Sequence, residues 1–257
     1  MTRTRALLVP LALCLAVTQG TASAPAAAAS GDSTGVRVAS PLGRRDAAFA
    51  LLAAVAVAGA AAQDRRWLAQ ASANNTRFAL ALAGDARRLG DPATVGATLL
   101  AADGIARLAH RDGVAAASER MAFACLAAGA VSFAIKQAVG RERPDETASP
   151  SRMRPFSGHD AFPSGHATVA FALAASLDAE VHAPWLRAIA YPAAAVTAWS
   201  RVRDRRHWPS DVIAGAAIGG WFAHRADRFA QRRWPRGLAI AVLPHRDGVR
   251  VTIAREL

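Results

Sequence analysis

Residues 162–174 read FPSGHATVAFALA: a proline, a serine and a glycine, then a histidine that leads into an unbroken apolar run. Ser164 has the side chain of a helix N-cap, whose oxygen takes up an amide proton left free at a helix start, and Gly165 suits the turn into it. The run itself, ATVAFALAASL from Ala167, is shorter than the 18 or so apolar residues that mark a membrane span. Five further runs have the same character: AAFALLAAVAVAGAAA at 47–62, ATVGATLLAA from 93, AFACLAAGAVSFAI from 122, AIAYPAAAVTAW from 188 and VIAGAAIGGWFA from 212. The pattern predicts an all-α protein, a bundle of about six helices whose faces are buried against one another or partly in lipid. Gly215 and Gly219, four apart, allow two of these helices to approach closely.

Composition agrees with that architecture. Over 257 residues, 53% are apolar, enough for one sizeable core, and alanine supplies much of the fraction, which favours helices of high propensity and mild hydrophobicity. The ends of the chain differ from its middle. Arg3 and Arg5 precede the apolar ALLVPLALCLAV, and small residues follow through TASAPAAAAS, so residues 1–29 read as an export signal. A polar linker, 30–45, leads to the bundle at 46–235. In the last segment, 236–257, Val249, Val251 and Ile253 alternate with polar residues beyond an Asp247-Gly248 turn, the pattern of a short C-terminal β-hairpin. Cys14 lies within the signal, which leaves Cys125 alone in an apolar run where packing is its default role.

The formal charge of +12 raises nucleic acid as a partner, but the arginines are scattered, without aromatic interleaving or any nucleic-acid motif, which argues against one. Every basic residue except Lys136 is arginine. That lysine ends an apolar helix in KQAVGRERP, with Arg143 seven residues on. A second basic cluster, SRVRDRRHWPSD at 200–211, holds Arg201, His207 and Asp211. A transferring phosphoryl group spreads negative charge over its equatorial oxygens, and fixed cations with backbone N–H donors can stabilise it without a metal. Lys136, Arg143 and Arg201 supply the cations, and the helix start at Ser164 and Gly165 the donors. An imidazole attacks phosphorus through one nitrogen when the other is held, so His207 with Asp211 forms a candidate nucleophile pair, and His166 is placed to protonate the leaving oxygen.

These three stretches resemble the type 2 phosphatidic acid phosphatase family, which shares its fold and site with the vanadium haloperoxidases. The family pattern is a lysine, six residues and Arg-Pro; then Pro-Ser-Gly-His; then Ser-Arg, five residues, histidine, three residues and aspartate. Lys136 with Arg143-Pro144, Pro163 to His166, and Ser200-Arg201 with His207 and Asp211 match it in order. The resemblance implies that Lys136, Arg143, Ser164, Gly165 and Arg201 hold phosphate, that His207 is the nucleophile, Asp211 its orienting group and His166 the general acid, with no metal or other cofactor. The expected activity is hydrolysis of a phosphate monoester or pyrophosphate, of a small molecule or a lipid, in the periplasm or cell envelope and in association with the membrane. Two alternatives stand beside it: a vanadium-dependent haloperoxidase with vanadate on His207, and a non-catalytic anion-binding envelope protein. Arg203, Arg205 and Arg206 read as solvated rim charges, His159 as a loop residue at the site mouth, and Trp208 as either a pocket wall or a packing residue.

Overall fold

The computed structural model describes residues 43–73, 76–233, 238–245 and 248–255. Among them are eight helices: α1 (Arg44–Ala61), α2 (Asp64–Ser72), α3 (Arg77–Leu89), α4 (Pro92–Leu108), α5 (Asp112–Val139), α6 (Gly165–Val181), α7 (Pro184–Arg203) and α8 (Pro209–Arg233). The all-α expectation holds, with two helices more than the apolar runs suggested. Helices α2 and α3, DRRWLAQAS and RFALALAGDARRL, are interrupted by charge and bury only a narrow stripe each, so neither shows as an apolar run. The export signal expected over 1–29 and the linker up to 42 lie outside the described residues, and α1 starts at Arg44, two residues ahead of the expected boundary.

Helix starts follow local chemistry. The Thr76 hydroxyl accepts from the Ala79 amide at 3.2 Å, the Asp91 carboxylate from the Thr94 amide at 2.9 Å, and prolines open α4, α7 and α8. Helix α5 stops at Gly140, whose φ of +56° is left-handed and whose missing Cβ would lie 1.7 Å from the Arg154 carbonyl oxygen. At 28 residues, α5 outruns the apolar stretch read from the sequence. Its best 18-residue window has a mean hydropathy of 1.6 with 22% buried, so by length and composition it can cross a membrane. Helices α1 and α2 pass the same test only together, across a 68° bend.

The helix that begins at Gly165 is the centre of the bundle. Ala167, Thr168, Val169, Ala170, Phe171, Ala172 and Ala174 are buried on every side of it, as a helix without a polar face must be. On one side Phe171 joins Leu68, Tyr191, Trp208 and Val212; on the other Val169 joins Val95, Leu99, Met121 and Cys125. Each such large apolar side chain contributes about 1.5–3 kcal/mol on burial. The α6–α8 contact is as close as the glycine spacing anticipates: a Cβ at Gly215 would sit 2.5 Å from the Ser164 carbonyl oxygen, and one at Gly219 2.2 Å from that of Thr168. This contact presses the first turn of α6 against the first turn of α8, the two places where the histidine motifs lie.

Candidate active site

Three chain segments meet at the N-terminus of α6: the end of α5 with the loop that follows it, the α6 start, and the α7–α8 connection. Backbone bonds join them. The Ser164 amide donates to the Asp211 carbonyl at 2.9 Å, and the Ala161 amide to that of Arg141 at 3.0 Å. Ser164 caps α6 as expected, and its own N–H is committed to Asp211. The donors left for an anion are the N–H groups of Gly165 and His166, which as the first residues of a helix have no acceptor within it. The Lys136 stem runs over this turn, with its Cε 3.8 Å from the place a Gly165 Cβ would take.

The cations are brought together. Lys136, Arg143 and Arg201 all bear electrostatically on both His166 and His207, so the three cations lie near both rings. The Arg201 Nε is buried and without a hydrogen-bond partner among the described residues. Arg143 forks onto the Asp160 carboxylate at 2.8 and 2.9 Å, and Lys136 donates to the Asp160 carbonyl, with the carboxylate 3.9 Å away. Asp160 therefore supplies an internal counter-anion, a residue that the motif spacing does not reveal.

His207 is buried, and its Nδ1 lies 2.7 Å from the Ala161 carbonyl oxygen. A carbonyl only accepts, so the proton is on Nδ1 and the lone pair on Nε2. Burial first, then Lys136 and Arg201, hold its pKa well below the usual imidazole value, against the bond to Ala161. The ring is neutral at neutral pH. The direct pairing expected between His207 and Asp211 is not formed: the nearest carboxylate oxygen is 3.9 Å from Nδ1. Asp211 instead accepts from the Trp208 amide at 2.7 Å and from the Arg141 guanidinium, because its position in the first turn of α8 points the carboxylate back at that turn. It shapes the loop that carries His207 rather than the ring itself. Burial, opposed by Arg141, pushes the Asp211 pKa up to about 7.

Arg141 is the hub of a buried network. Its guanidinium reaches Ser210 Oγ at 2.7 Å, Asp64 Oδ2 at 2.7 Å, Asp211 and the Pro150 carbonyl, and Asp64 also accepts from the Ser210 amide at 2.9 Å. Sequence reasoning passes over both Arg141 and Asp64. The GRERP stretch shows Arg141 beside Arg143, whereas nothing in DRRWLAQAS points 146 residues ahead to Ser210.

His166 is three-quarters buried, with Nε2 3.9 Å from Asp91 Oδ1. Burial, then Arg201, bring its pKa down to about 4, with Asp91 pulling the other way. Of the expected rim charges, only Arg205 and Arg206 are exposed, and neither is loose. Arg205 donates to the Pro144 carbonyl at 3.0 Å and Arg206 to Asp145 at 2.9 Å, tying the α7–α8 connection to the loop after α5. The Arg203 side chain is 9% exposed against Asp204, a correction to its reading as solvated. Trp208 packs: it is 1% exposed and donates to the Glu142 carbonyl at 3.0 Å. His159 sits in the loop, 3.1 Å from Glu146. Among the described residues no cluster of histidine, cysteine or carboxylate side chains is suited to a metal ion.

Residues 120–235, which include every residue of the three motifs, match the family model of the PAP2 superfamily. Curated relatives include lipid A 1-phosphatases from Porphyromonas gingivalis (40% identical over 93 residues, 35% of this chain and 19% of that one), Rhizobium etli (41% over 101 residues, 37% and 42%) and Rhizobium johnstonii (39% over 107 residues, 39% and 43%). The chain thus spans less than half the length of each of these relatives. No solved structure matches it significantly.

Proposed function

Because residues 120–235 of this chain belong to the PAP2 superfamily, we propose that the protein is a phosphatase that hydrolyses a phosphate monoester or pyrophosphate, of a lipid such as lipid A, through a phosphohistidine intermediate. The observation that carries this reading is the neutral His207 imidazole, its Nδ1 proton held by Ala161 and its Nε2 free, in a pocket with Lys136, Arg143 and Arg201. The cations and the Gly165 and His166 amides take the equatorial oxygens, whose charge grows in the transition state. His207 Nε2 forms the N–P bond as the bond from phosphorus to the leaving oxygen breaks, and His166 gives that oxygen its proton. Arrival of the phosphate dianion offsets the cations that hold the His166 pKa down, so the imidazole is protonated in the complex. Water then attacks phosphorus, its proton returns to His166, the P–N bond breaks and inorganic phosphate leaves.

The fixed cations supply charge that a metal otherwise brings, so activity without a metal is part of the reading. A vanadium-dependent haloperoxidase uses the same residues, but the relatives reported above all bear phosphatase names, which favours hydrolysis. Exposed Leu51, Leu52 and Val55 on α1, Leu100 and Ile105 on α4, and Leu126 and Phe133 on α5 support membrane association in the cell envelope. We read residues 236–257 as a hairpin, which the backbone pairing of Leu238–His245 with Gly248–Arg255 supports, and give it no part in the chemistry. The test is hydrolysis of p-nitrophenyl phosphate and of lipid phosphates, with and without EDTA and vanadate, beside His207→Ala. Activity that survives EDTA, yields to vanadate and falls by on the order of 10⁴-fold in the variant is expected. Hydrolysis by His207→Ala at the parental rate, or halide oxidation in place of hydrolysis on adding vanadate, overturns the proposal.

A further inference from the structure

Asp91 caps α4 with one carboxylate oxygen and turns the other to His166. Oδ2 accepts from the Thr94 amide at 2.9 Å and from the Thr94 hydroxyl at 3.0 Å, whereas Oδ1 lies 3.9 Å from His166 Nε2. The bond from the Thr94 amide, before any other cause, holds the Asp91 pKa below the ordinary carboxylate value, so the group is an anion at neutral pH. Its place is fixed by the residue before it. A Cβ at Gly90 would lie 2.3 Å from Thr197 Cγ2 and 2.9 Å from the His166 carbonyl oxygen, so the α3–α4 corner backs onto the first turn of α6 with no room for a side chain. The Thr197 hydroxyl donates to the Ala86 carbonyl at 3.0 Å and ties α3 to α7.

The charges around the His166 ring come from every side. Lys136 on α5, Arg143 in the loop after it and Arg201 on α7 all disfavour a proton on the imidazole, and Asp91 favours one. On α3, Asp85, Arg87 and Arg88 line the cleft that Asp91 and His166 also border. Arg87 is paired with Asp204 at 3.4 Å and Arg88 with Asp85 at 3.9 Å. An acid placed among three cations holds its proton only if an anion stands on its other side, and Asp91 stands there.

We propose that Asp91 is the positioning residue of the general acid: it holds the His166 imidazolium by Nε2–H and leaves Nδ1–H to give its proton to the leaving oxygen. The proposal rests on the phosphatase reading for the role of His166. As the bond from phosphorus to the leaving oxygen breaks, its electron pair stays on that oxygen, which takes the Nδ1 proton. The ring is left neutral, with Nε2–H still towards Asp91, and the Nδ1 lone pair then takes the proton of the attacking water. Protonation of the ring closes the gap to Asp91 by about 1 Å, to the length of a charge-assisted hydrogen bond.

Asp91→Asn and Asp91→Ser both keep an N-cap oxygen for Thr94 and remove the charge, so the start of α4 is retained. Loss of an acid is felt most by a strongly basic leaving oxygen. In the full-length protein, kcat/KM for phenyl phosphate is expected to fall about tenfold in each variant, and that for p-nitrophenyl phosphate less than about threefold. His166→Ala should show the same bias more severely. The alkaline limb of kcat for phenyl phosphate should move about one pH unit lower, because an imidazolium without its anion gives up its proton sooner. A residue that only caps α4 would instead lower both esters alike, together with the melting temperature. Proton NMR titration of the His166 ring in saturating inorganic phosphate, assigned by its loss in His166→Gln, reads the pair without turnover. Its pKa in Asp91→Asn should be lower by about one unit. That shift, found with no leaving-group bias in His166→Ala, supports the Asp91–His166 pair and removes the acid from the phosphatase reading. An unchanged titration, or an equal loss on both esters in the Asp91 variants while His166→Ala discriminates between them, overturns the proposal and leaves hydrolysis standing.

Discussion

Gly219 and Gly220 are neighbours on α8, and alanine at the two positions is expected to move stability in opposite directions. A Cβ at Gly219 would lie 2.2 Å from the Thr168 carbonyl oxygen and 2.9 Å from the Ala172 amide nitrogen, both backbone atoms in the buried part of α6. An ordinary C···O contact is about 3.3–3.6 Å, so the two helices must part by about 1 Å. Overpacking of this kind costs about 1–3 kcal/mol, and the gain in helix propensity on replacing glycine recovers at most about 1 kcal/mol of it. At Gly220 a Cβ meets nothing within 4 Å, so only the propensity gain of about 0.5–1 kcal/mol remains. For a domain of this size each kcal/mol moves the melting temperature by about 2–4 °C, and the two variants should melt roughly 4–8 °C apart, Gly219→Ala below the parent and Gly220→Ala at or above it. Gly215→Ala adds a functional readout. Its Cβ would be 2.5 Å from the Ser164 carbonyl oxygen, so the displacement falls on the α6 turn that carries the amides and His166, and kcat should fall on the order of 10²-fold while Gly219→Ala keeps most of its activity. Thermal melts with initial rates on p-nitrophenyl phosphate decide the matter. If Gly219→Ala melts at or above Gly220→Ala, the α6–α8 contact is not the one described.

His166 makes stability depend on pH. Its folded pKa of about 4 lies below the ordinary imidazole value of about 6.5, so the unfolded chain binds the proton first and stability falls as pH drops through that window. Between pH 7.5 and 4.5 the loss is up to about 2–3 kcal/mol, and the unfolding free energy from urea titrations should fall by about that much in the parent but not in His166→Gln. Asp211→Asn keeps an acceptor for the Trp208 amide but removes the charge facing Arg141, so it should cost about 3 kcal/mol in a denaturant titration. Retention of full stability would show that Arg141 is satisfied without it. Asp160→Asn frees Lys136 and Arg143 from their carboxylate, and the inhibition constant for vanadate should fall about tenfold; an unchanged constant removes Asp160 from the anion site.

The cations and histidines were legible because each motif keeps its spacing within one short stretch, and because a lone lysine among arginines stands out. Gly215 and Gly219 foretold the α6–α8 approach for a similar reason: spacing four apart on an apolar helix has few other uses. The pieces that escaped depend on what the fold brings opposite. Ala161 holds His207 through a backbone carbonyl, which no side-chain pattern records, whereas Asp211, four residues on across a helix start, is what the motif spacing shows. Helix α5 was read as a short apolar run because Glu119 and Arg120 interrupt it, yet Arg120 forks onto Glu180 at 2.7 and 2.6 Å and Arg107 pairs with Glu119, so the charges are carried on a continuous helix. Arg205 and Arg206 are exposed as expected, but their ties to Pro144 and Asp145 escaped, because those partners lie 61 residues away.

Charge explains why Arg141 and its two aspartates sit behind the pocket. Three cations held around one point repel one another, and without an anion between them the site would tend to open. Asp160 meets that demand from the solvent side, where an incoming phosphate can take its place on Arg143. Asp64 and Asp211 are fully buried. Their direct bonds go to Arg141, Trp208 and Ser210, which fixes that turn, and Lys136 and Arg143 are left to the Asp160 carboxylate. The arrangement separates the carboxylates that shape the His207 loop from the one that yields to the ligand. Separation of this kind lets a pocket stay preorganised for a dianion while remaining closed in its absence.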